Sequence, residues 1–273
     1  MKRDRKQRCL LAVGIIAVAV TEFLPNAPKA LAQEPVEECQ THWKWVAKGG
    51  NQAAVAQVAC PTRGTCDAPS ERDSWIPGPS TPTVHLRIRL HIFCNSDGTN
   101  CAATPTAVSD AISKLNSDYA PHRFQFTATT ESVNSTTYRD FSDSEEVLMK
   151  NTYADDPAGQ INVYVVNILG GYLGVGTFPW DPDSLENMGG IIVDDGAFGA
   201  GKSTLTHEVG HCLGLWHTHH GVSEVSQCSA CYERADGVDG DITGDFSAET
   251  PPTPRHSSST CGWVALFDLT HTV

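Results

Sequence analysis

The sequence predicts an α+β domain built on one mixed, twisted sheet. Segments in which polar and apolar residues alternate predict strands, and apolar stripes with a period of about 3.6 residues predict helices. A third observation is a helical segment near residue 207 that carries histidine and glutamate among apolar residues. Because strands and helices interleave along the chain, we expect them to pack around a single sheet.

The expected elements begin at residue 83. The alternating stretch "TVHLRIRLHIF" predicts the first strand, and Thr104 and Pro105 form the N-cap and first position of the next helix. The further elements are a strand, a short helix, a strong strand, an edge strand, a short strand and a helix: "RFQFTAT", "DSEEVLMKN", "INVYVVNI", "GGYLGVGTFPW", "GGIIVDD" and the segment from about Lys202. Turn signals in "DGVDGDITGD" and "ETPPTP" predict that the chain beyond His217 is loop-like.

Residues 1–32 have the features of a signal peptide. The basic stretch "MKRDRKQR" precedes an apolar run, Cys9 to Val20, that is too short to span a bilayer. Ala30 to Ala32 has the small-x-small form of a signal peptidase site, which places cleavage before Gln33. The alternative is a buried N-terminal helix. We expect a secreted protein, extracellular or periplasmic, with no membrane attachment after cleavage.

The composition limits the classes of partner. With 40% hydrophobic residues among 273, the chain can form a sizeable core. Its 32 acidic and 19 basic residues give a net charge of −13, and loss of residues 1–32 removes more basic than acidic side chains. Such a polyanion repels nucleic acids and anionic membranes, so we expect neither as a partner.

The ten cysteines are consistent with an exported protein. Loss of Cys9 with the signal leaves an odd number, so at least one cysteine is unpaired within the chain. Cys94 and Cys101 flank a turn and predict a local disulfide. Cys228 and Cys231 have CxxC spacing, but no second pair at similar spacing exists, so disulfides are a better interpretation than a zinc knuckle.

The motif "HEVGHCLGLWH" carries the chemistry. His207 and His211 are four residues apart and therefore lie on one face of a helix, with Glu208 beside them. Gly214 can adopt the left-handed conformation that ends a helix and so bring His217 back to the same point. The opposite face is apolar and is expected to face the core: Leu205, Val209, Cys212 and Leu213.

Three imidazoles with an open fourth position are typical of a catalytic zinc site, and Glu208 is placed to act as general base towards a water in that position. The short motif HExxH arises by chance on helices, but its extension to HExxHxxGxxH argues against chance. The other histidines are expected to have ordinary roles. His219 and His220 are expected to face solvent, and His85, His91 and His122 are expected to lie in strands or loops.

The motif resembles that of the metzincin clan of zinc peptidases and, more narrowly, the pappalysin family. "INVYVVNILGGYLGVGTFPW", "GGIIVDDGAFGAGKSTLTHEVGHCLGLWHTH" and "GDFSAETPPTP" are similar to that family's central and edge strands, zinc helix and following loop, and the resemblance covers roughly residues 83–255. It implies a metzincin-like zincin catalytic domain, residues 83–273, that acts as a secreted metalloendopeptidase. Substrate would lie antiparallel along an edge strand, which we place at Tyr172 to Thr177.

The resemblance also implies a calcium site, for which four residues are candidates: Asp236, Asp239, Asp241 and Asp245.

One departure concerns the Met-turn that metzincins have beneath the zinc. The methionines, Met1, Met149 and Met188, all precede the motif, and "CGWVALFDLTHTV" does not resemble the expected segment. The C-terminal subdomain is therefore expected to be incomplete, leaving part of the apolar face of the zinc helix uncovered and turnover weak.

The alternative function is an exported zinc- or peptide-binding protein that has lost catalysis, and the motif also admits a zinc hydrolase other than a peptidase.

Residues 33–82 are irregular and are interpreted as a pro-segment or N-terminal arm. A free thiolate of Cys66 in this segment could block the zinc, whereas a disulfide from Cys66 to Cys60 or Cys39 is the alternative.

Overall fold

The computed structural model describes Cys39, Thr41, Lys44 and Lys48, residues 77–224, Tyr232 and Glu233, and residues 243–247. All of them belong to the unit Pro35–Val273. The strands and helices are, in chain order, β1 (Val84–Cys94), α1 (Pro105–Tyr119), β2 (Phe124–Asn134), α2 (Thr136–Arg139), β3 (Asp140–Phe141), α3 (Glu146–Tyr153), β4 (Ile161–Ile168), β5 (Gly174–Val175), β6 (Ile191–Asp194), α4 (Thr204–Cys212) and α5 (His220–Ser223). Within the described residues, no helix is long and apolar enough to span a bilayer.

The sheet is mixed, which confirms the predicted α+β class. Its strand order is β2-β1-β4-β6-β5, and β3 pairs with the end of β4. The pairs β1–β2, β1–β4, β3–β4 and β4–β6 are parallel, whereas β5 runs antiparallel to β6 at one edge. The segment expected to form an edge strand therefore does so.

The strand β4 lies in the middle of the sheet and is buried on both faces. Its sequence, INVYVVNI, is an almost continuous apolar run, and the side chains from Val163 to Val166 are fully buried. Strands covered on both faces have such runs, because neither face contacts water. Pairing with β4 positions β6, and pairing with β6 positions the edge strand β5.

A separate apolar core covers each face of the sheet. One contains side chains of α1 and α4, including Leu115 and Val209, packed on Ile88, Val163 and other strand residues. The other contains Tyr138 of α2 and Met149 of α3. Helix α4 is thus held against the sheet by the core it shares with α1.

Two polar contacts fix α1 against α4. The hydroxyl of Tyr119 donates to the carbonyl oxygen of Thr206 at 3.1 Å, and the hydroxyl of Thr206 donates to Asp118 at 2.7 Å. The start of α1 is as predicted, since Thr104 accepts a hydrogen bond from the backbone N–H of Ala107. These contacts set the position of the helix that carries the histidine motif.

The local disulfide between Cys94 and Cys101 is confirmed. The prediction of loop beyond His217 is wrong for α5, a short helix that follows the motif directly. The remaining predictions that concern Cys60, Cys66, Cys228, Cys231, Asp236, Asp239, Asp241 and the segment from Cys261 lie outside the described residues.

Candidate active site

The first two histidines of the motif project from α4 on one side. His207 and His211 are buried, and the opposite side places Leu205 and Val209 in the core, as their spacing predicts. Cys212 and Leu213 are partly buried against the same core. The expectation that this face lacks cover is wrong for Val209, which is fully buried beneath α1 and the sheet.

The third histidine returns to the same point through a turn at Gly214. This residue has φ +95°, the left-handed region that favours glycine. The N–H of Gly214 donates to His211 O at 2.9 Å, and the N–H of Leu215 donates to Gly210 O at 2.9 Å. This is the Schellman pattern, which ends the helix and reverses the chain towards His217.

The three imidazoles converge on one point through their Nε2 atoms. The Nε2 separations are 3.1 Å from His207 to His211, 3.1 Å from His211 to His217 and 3.3 Å from His207 to His217. Burial lowers the pKa of all three histidines, well below the ordinary value for His207 and His211, so the rings are neutral.

Hydrogen bonds at the far side of two rings place lone pairs at the centre. His211 Nδ1 lies 2.7 Å from the carbonyl oxygen of Leu215, and His217 Nδ1 lies 2.6 Å from a carboxylate oxygen of Glu224. Both oxygens only accept, so in each neutral ring Nδ1 carries the proton and Nε2 has a lone pair. Two lone pairs 3.1 Å apart repel unless a cation lies between them, so the residues present fit a metal ion.

Glu208 is fully buried beside the histidines. Burial raises the pKa of its carboxyl to about 8, although hydrogen bonds from Thr41 and Cys39 oppose the shift. Its Oε2 accepts from the Thr41 hydroxyl at 3.0 Å, and among the described residues its Oε1 has no hydrogen-bonding partner. A carboxylate with an unsatisfied oxygen at this point is suited to hold or transfer a proton.

The fourth side of the histidine cluster is occupied by Cys39 rather than left open as the sequence suggested. Its Sγ lies 3.4 Å from His211 Nε2 and 3.7 Å from Glu208 Oε2. The ligand atoms of Cys39 and the three histidines all lie within 4.8 Å of one another. Cys39 forms no disulfide, so the expected alternative of a Cys39–Cys66 bridge is wrong.

The N-terminal arm, by which we mean the described residues 39, 41, 44 and 48, lies along the edge strand β5. Cys39 forms a parallel bridge with Gly174, and the N–H of Gly176 donates to the Thr41 hydroxyl at 2.7 Å. Two lysines fix the arm to carboxylates: Lys44 contacts Asp143 and Glu146, and Lys48 contacts Asp181 and Asp183. The arm therefore covers the segment Tyr172 to Thr177 that the sequence assigned to substrate.

Gly176 leaves no room for a side chain between β5 and α4. A Cβ at this position would lie 2.7 Å from the carbonyl oxygen of Glu208 and 3.3 Å from Cβ of His211. We expect Gly176→Ala to push the edge strand from the helix and to destabilise the protein by about 1–3 kcal/mol, the usual cost of overpacking. Thermal unfolding measures the effect. The matched control is Gly78→Ala, because no atom lies within 4 Å of a Cβ there; equal melting temperatures for the two variants would contradict the prediction.

His219 and His220 do not face solvent, contrary to expectation. Both are buried, and both contact the Glu224 carboxylate, His219 Nε2 at 3.3 Å and His220 Nδ1 at 2.9 Å. Burial alone would raise the pKa of Glu224, but hydrogen bonds from His217, His219 and His220 outweigh burial and hold that pKa well below its usual range. The carboxylate is thus an ionised acceptor beneath the third histidine.

An aromatic cluster supports His211 from the side. Phe178 meets the His211 ring edge-to-face at 5.3 Å between centroids, and it stacks on Trp180 at 4.6 Å. Trp216 packs against both at 4.6 Å and 5.1 Å. This cluster was not predicted from the sequence, although Trp216 inside the motif is a signal that indicates it.

The other sequence-predicted residues have more ordinary surroundings. His91 is buried in β1, where its ring stacks on Tyr164 and contacts Glu131 and Asn162. Of the four calcium candidates, Asp245 is described, and it accepts from the N–H of Ser247 at 3.0 Å. This contact carries no evidence for an ion, and calcium stays a prediction.

Comparison with known proteins identifies relatives of one kind. Pappalysin-1 from Homo sapiens is 33% identical over 132 residues, 44% of this chain and 8% of its own length. Extracellular metalloprotease 1 from Coccidioides posadasii is 33% identical over 166 residues, 56% of this chain and 52% of its own length. A solved variant of promirolysin from Tannerella forsythia is 16% identical, with a TM-score of 0.47 over 67% of this chain and 71% of that one. No protein-family model matches.

The chain spans about half the length of the fungal relative and a small part of pappalysin-1. These two relatives are named as a pappalysin and an extracellular metalloprotease. The chain is thus similar to pappalysin-1 and to a fungal extracellular metalloprotease, and it carries the motif HExxHxxGxxH on a buried helix beside the sheet edge.

Proposed function

We propose that the protein is a secreted, zinc-dependent metalloendopeptidase that is held latent by its own N-terminal arm. The observation that carries this proposal is the convergence of three neutral imidazoles on one point, with a buried carboxylate beside them and a sheet edge alongside. The signal-like residues 1–32 and the relatives named as extracellular support secretion.

The donor atoms fit zinc closely. A tetrahedral site with zinc–nitrogen distances of about 2.0–2.1 Å needs nitrogen–nitrogen separations of about 3.3–3.4 Å. The three observed separations, 3.1 to 3.3 Å, agree within a few tenths of an ångström. A thiolate at about 2.3 Å from the ion would lie about 3.6 Å from each nitrogen, and Cys39 Sγ is 3.4 Å from His211 Nε2.

Each side chain then has a defined role. His207, His211 and His217 hold the metal, which when bound lowers the pKa of water and polarises a substrate carbonyl. Glu208 takes the proton of the attacking water and delivers it to the leaving amine. Burial raises the pKa of Glu208 towards neutrality, which suits a group that must both accept and release a proton.

Substrate would pair with the outer edge of β5. The backbone N–H of Gly176 faces that edge and now donates to Thr41, so an extended peptide could take its place. The β-bridge between Cys39 of the arm and Gly174 is parallel, whereas we expect the substrate backbone to run antiparallel to β5. The arm therefore lies in the opposite direction to a cleavable peptide.

The alternative of a zinc-binding protein without catalysis explains less of the site. Such a protein needs the histidines but not Glu208, whose buried carboxylate is costly to maintain without full hydrogen bonding. To test the enzyme, the secreted full chain is freed of its arm by limited proteolysis and assayed on a denatured protein. Hydrolysis that stops with a chelator and returns with zinc supports the proposal; bound zinc without hydrolysis contradicts it.

The latency part of the proposal predicts that Cys39→Ala raises peptidase activity. Loss of even about 1.4 kcal/mol of binding between arm and site increases the open form tenfold, so we expect at least a tenfold gain before any arm cleavage. Initial rates on a quenched peptide library measure it. Cys212→Ala is the matched control, because Cys212 is also a free cysteine but packs against the core. Equal rates for wild type and Cys39→Ala, with both rising after arm cleavage, would show that the thiol does not maintain latency.

A further inference from the structure

Glu224 contacts the histidine cluster from outside it. This residue follows α5, seven positions after His217, and its backbone N–H donates to the carbonyl oxygen of His220 at 3.1 Å. Its side chain is buried, and one oxygen lies 2.6 Å from Nδ1 of His217. The motif HExxHxxGxxH does not include Glu224, and its position was expected to be loop.

The third histidine differs from the other two in how its backbone is held. His207 and His211 project from one regular helix, so their spacing is set by α4 itself. His217 lies after the turn at Gly214 and outside both α4 and α5. The orientation of the His217 ring therefore depends more on side-chain contacts than the orientations of the His207 and His211 rings do.

The contacts of His217 restrain its ring from two sides. The Glu224 carboxylate accepts from Nδ1, and the ring of His219 stacks on that of His217 with centroids 4.6 Å apart and planes 12° apart. The carboxylate is itself held, because His219 and His220 contact its two oxygens at 3.3 Å and 2.9 Å. Trp216 in turn stacks on His220 at 4.0 Å. The chain thus forms a continuous set of contacts from the aromatic cluster to the third ligand.

We propose that Glu224 is a positioning residue for the metal centre, one that orients His217 and strengthens its bond to the ion. This inference rests on the proposed metal site. The carboxylate fixes the proton of His217 on Nδ1 and leaves the Nε2 lone pair directed at His207 and His211. Nδ1 of His211 contacts a neutral acceptor, the carbonyl oxygen of Leu215, whereas Nδ1 of His217 contacts an anionic one. The anionic acceptor makes the His217 ring more basic, so its Nε2 lone pair binds a cation more strongly.

The charges of the described residues agree with this role. Imidazole binds a metal ion as a neutral ring, so three histidine ligands would not offset the charge of a divalent ion. Glu224 places a carboxylate directly behind one of these histidines, His217. In a buried site a nearby cation stabilises this negative charge further, which couples Glu224 to metal binding as well as to folding.

The test is zinc affinity, measured by competition with a chromophoric chelator on the full chain. Partners behind metal-bound histidines typically contribute 10–100-fold in affinity, so Glu224→Gln is expected to weaken zinc binding by about that factor. Glu224→Asp keeps the charge and should restore part of the loss. The matched control is Glu186→Gln, a change at an exposed glutamate, which should bind zinc as the wild type does.

A second readout separates positioning from a structural role. The visible absorption of the Co²⁺-substituted protein reports ligand geometry, and we expect it to change in Glu224→Gln and not in Glu186→Gln. Unchanged zinc affinity together with an unchanged Co²⁺ spectrum would overturn the inference, even if the variant is less stable. Should both Glu224 variants fail to fold, His220→Ala loosens the carboxylate while leaving it in place; weaker zinc binding in that variant supports the inference, and wild-type affinity overturns it. A wild-type chain that binds no zinc would instead contradict the proposed function.

Discussion

His211→Ala is expected to reduce bound zinc from about one equivalent to background, because a three-histidine site needs all three imidazoles to complete its coordination. His211 is the most enclosed of the three, fully buried between the other two histidines and the aromatic ring of Phe178. Metal analysis after dialysis measures the loss. The same experiment on His207→Ala and His217→Ala should give the same result.

Removal of the metal should also lower stability. Zinc present at 1,000 times its dissociation constant stabilises a folded protein by about 4.1 kcal/mol, which a chelator would remove. The His211→Ala variant should show no such dependence on chelator. His85→Ala is the control, since His85 is exposed near the start of β1. Full zinc content in His211→Ala would exclude this cluster as the metal site.

Glu208→Gln is expected to retain zinc and to lose at least about 100-fold in turnover, because the amide cannot transfer a proton. The comparison is made in protein freed of its arm, so that latency does not hide the difference. Rates on a denatured protein and metal content are measured on the same samples. Glu186→Gln again serves as the control for a change of glutamate to glutamine.

The thermal stability of Glu208→Gln distinguishes a loss of proton transfer from misfolding. Burial raises the pKa of Glu208 to about 8, so as the pH rises from the usual glutamate pKa towards 8 the folded state loses stability relative to the unfolded state, in which the carboxyl ionises freely. The neutral amide removes that loss, and we expect the variant to unfold at the same temperature as its parent or higher. Wild-type turnover in Glu208→Gln would exclude a role for Glu208 in proton transfer.

The predictions from the sequence that agree with the structure depend on local geometry. The spacing of His207 and His211 places them on one face in any α-helix, since the rotation per residue is fixed. Gly214 was identifiable as the end of that helix because few other residues adopt a positive φ easily. The strands were identifiable from the period of their apolar residues, and the Cys94–Cys101 disulfide from the short turn between its cysteines.

The residues that the sequence analysis missed all reach the site over long distances or irregular paths. Cys39 and Thr41 are 172 and 167 residues away from the His211 and Glu208 they contact. No periodicity indicates such a contact, because it depends on β5 forming the edge of the sheet and leaving space for the arm. From the sequence, Cys66 was a candidate for a free thiol at the zinc; in the structure Cys39 lies beside His211, and Cys66 lies outside the described residues.

Sequence alone thus determined the identity of the metal ligands and their neighbouring glutamate as candidates, since helix geometry and one glycine turn bring them together within eleven residues. Tertiary structure decided what surrounds them. Glu224 lies behind His217 because a short helix formed where loop was predicted, and its buried carboxylate contacts the imidazoles of His219 and His220. The arm occupies the edge of β5 because that edge has unpaired backbone groups, and which segment fills them depends on the whole fold rather than on any local pattern.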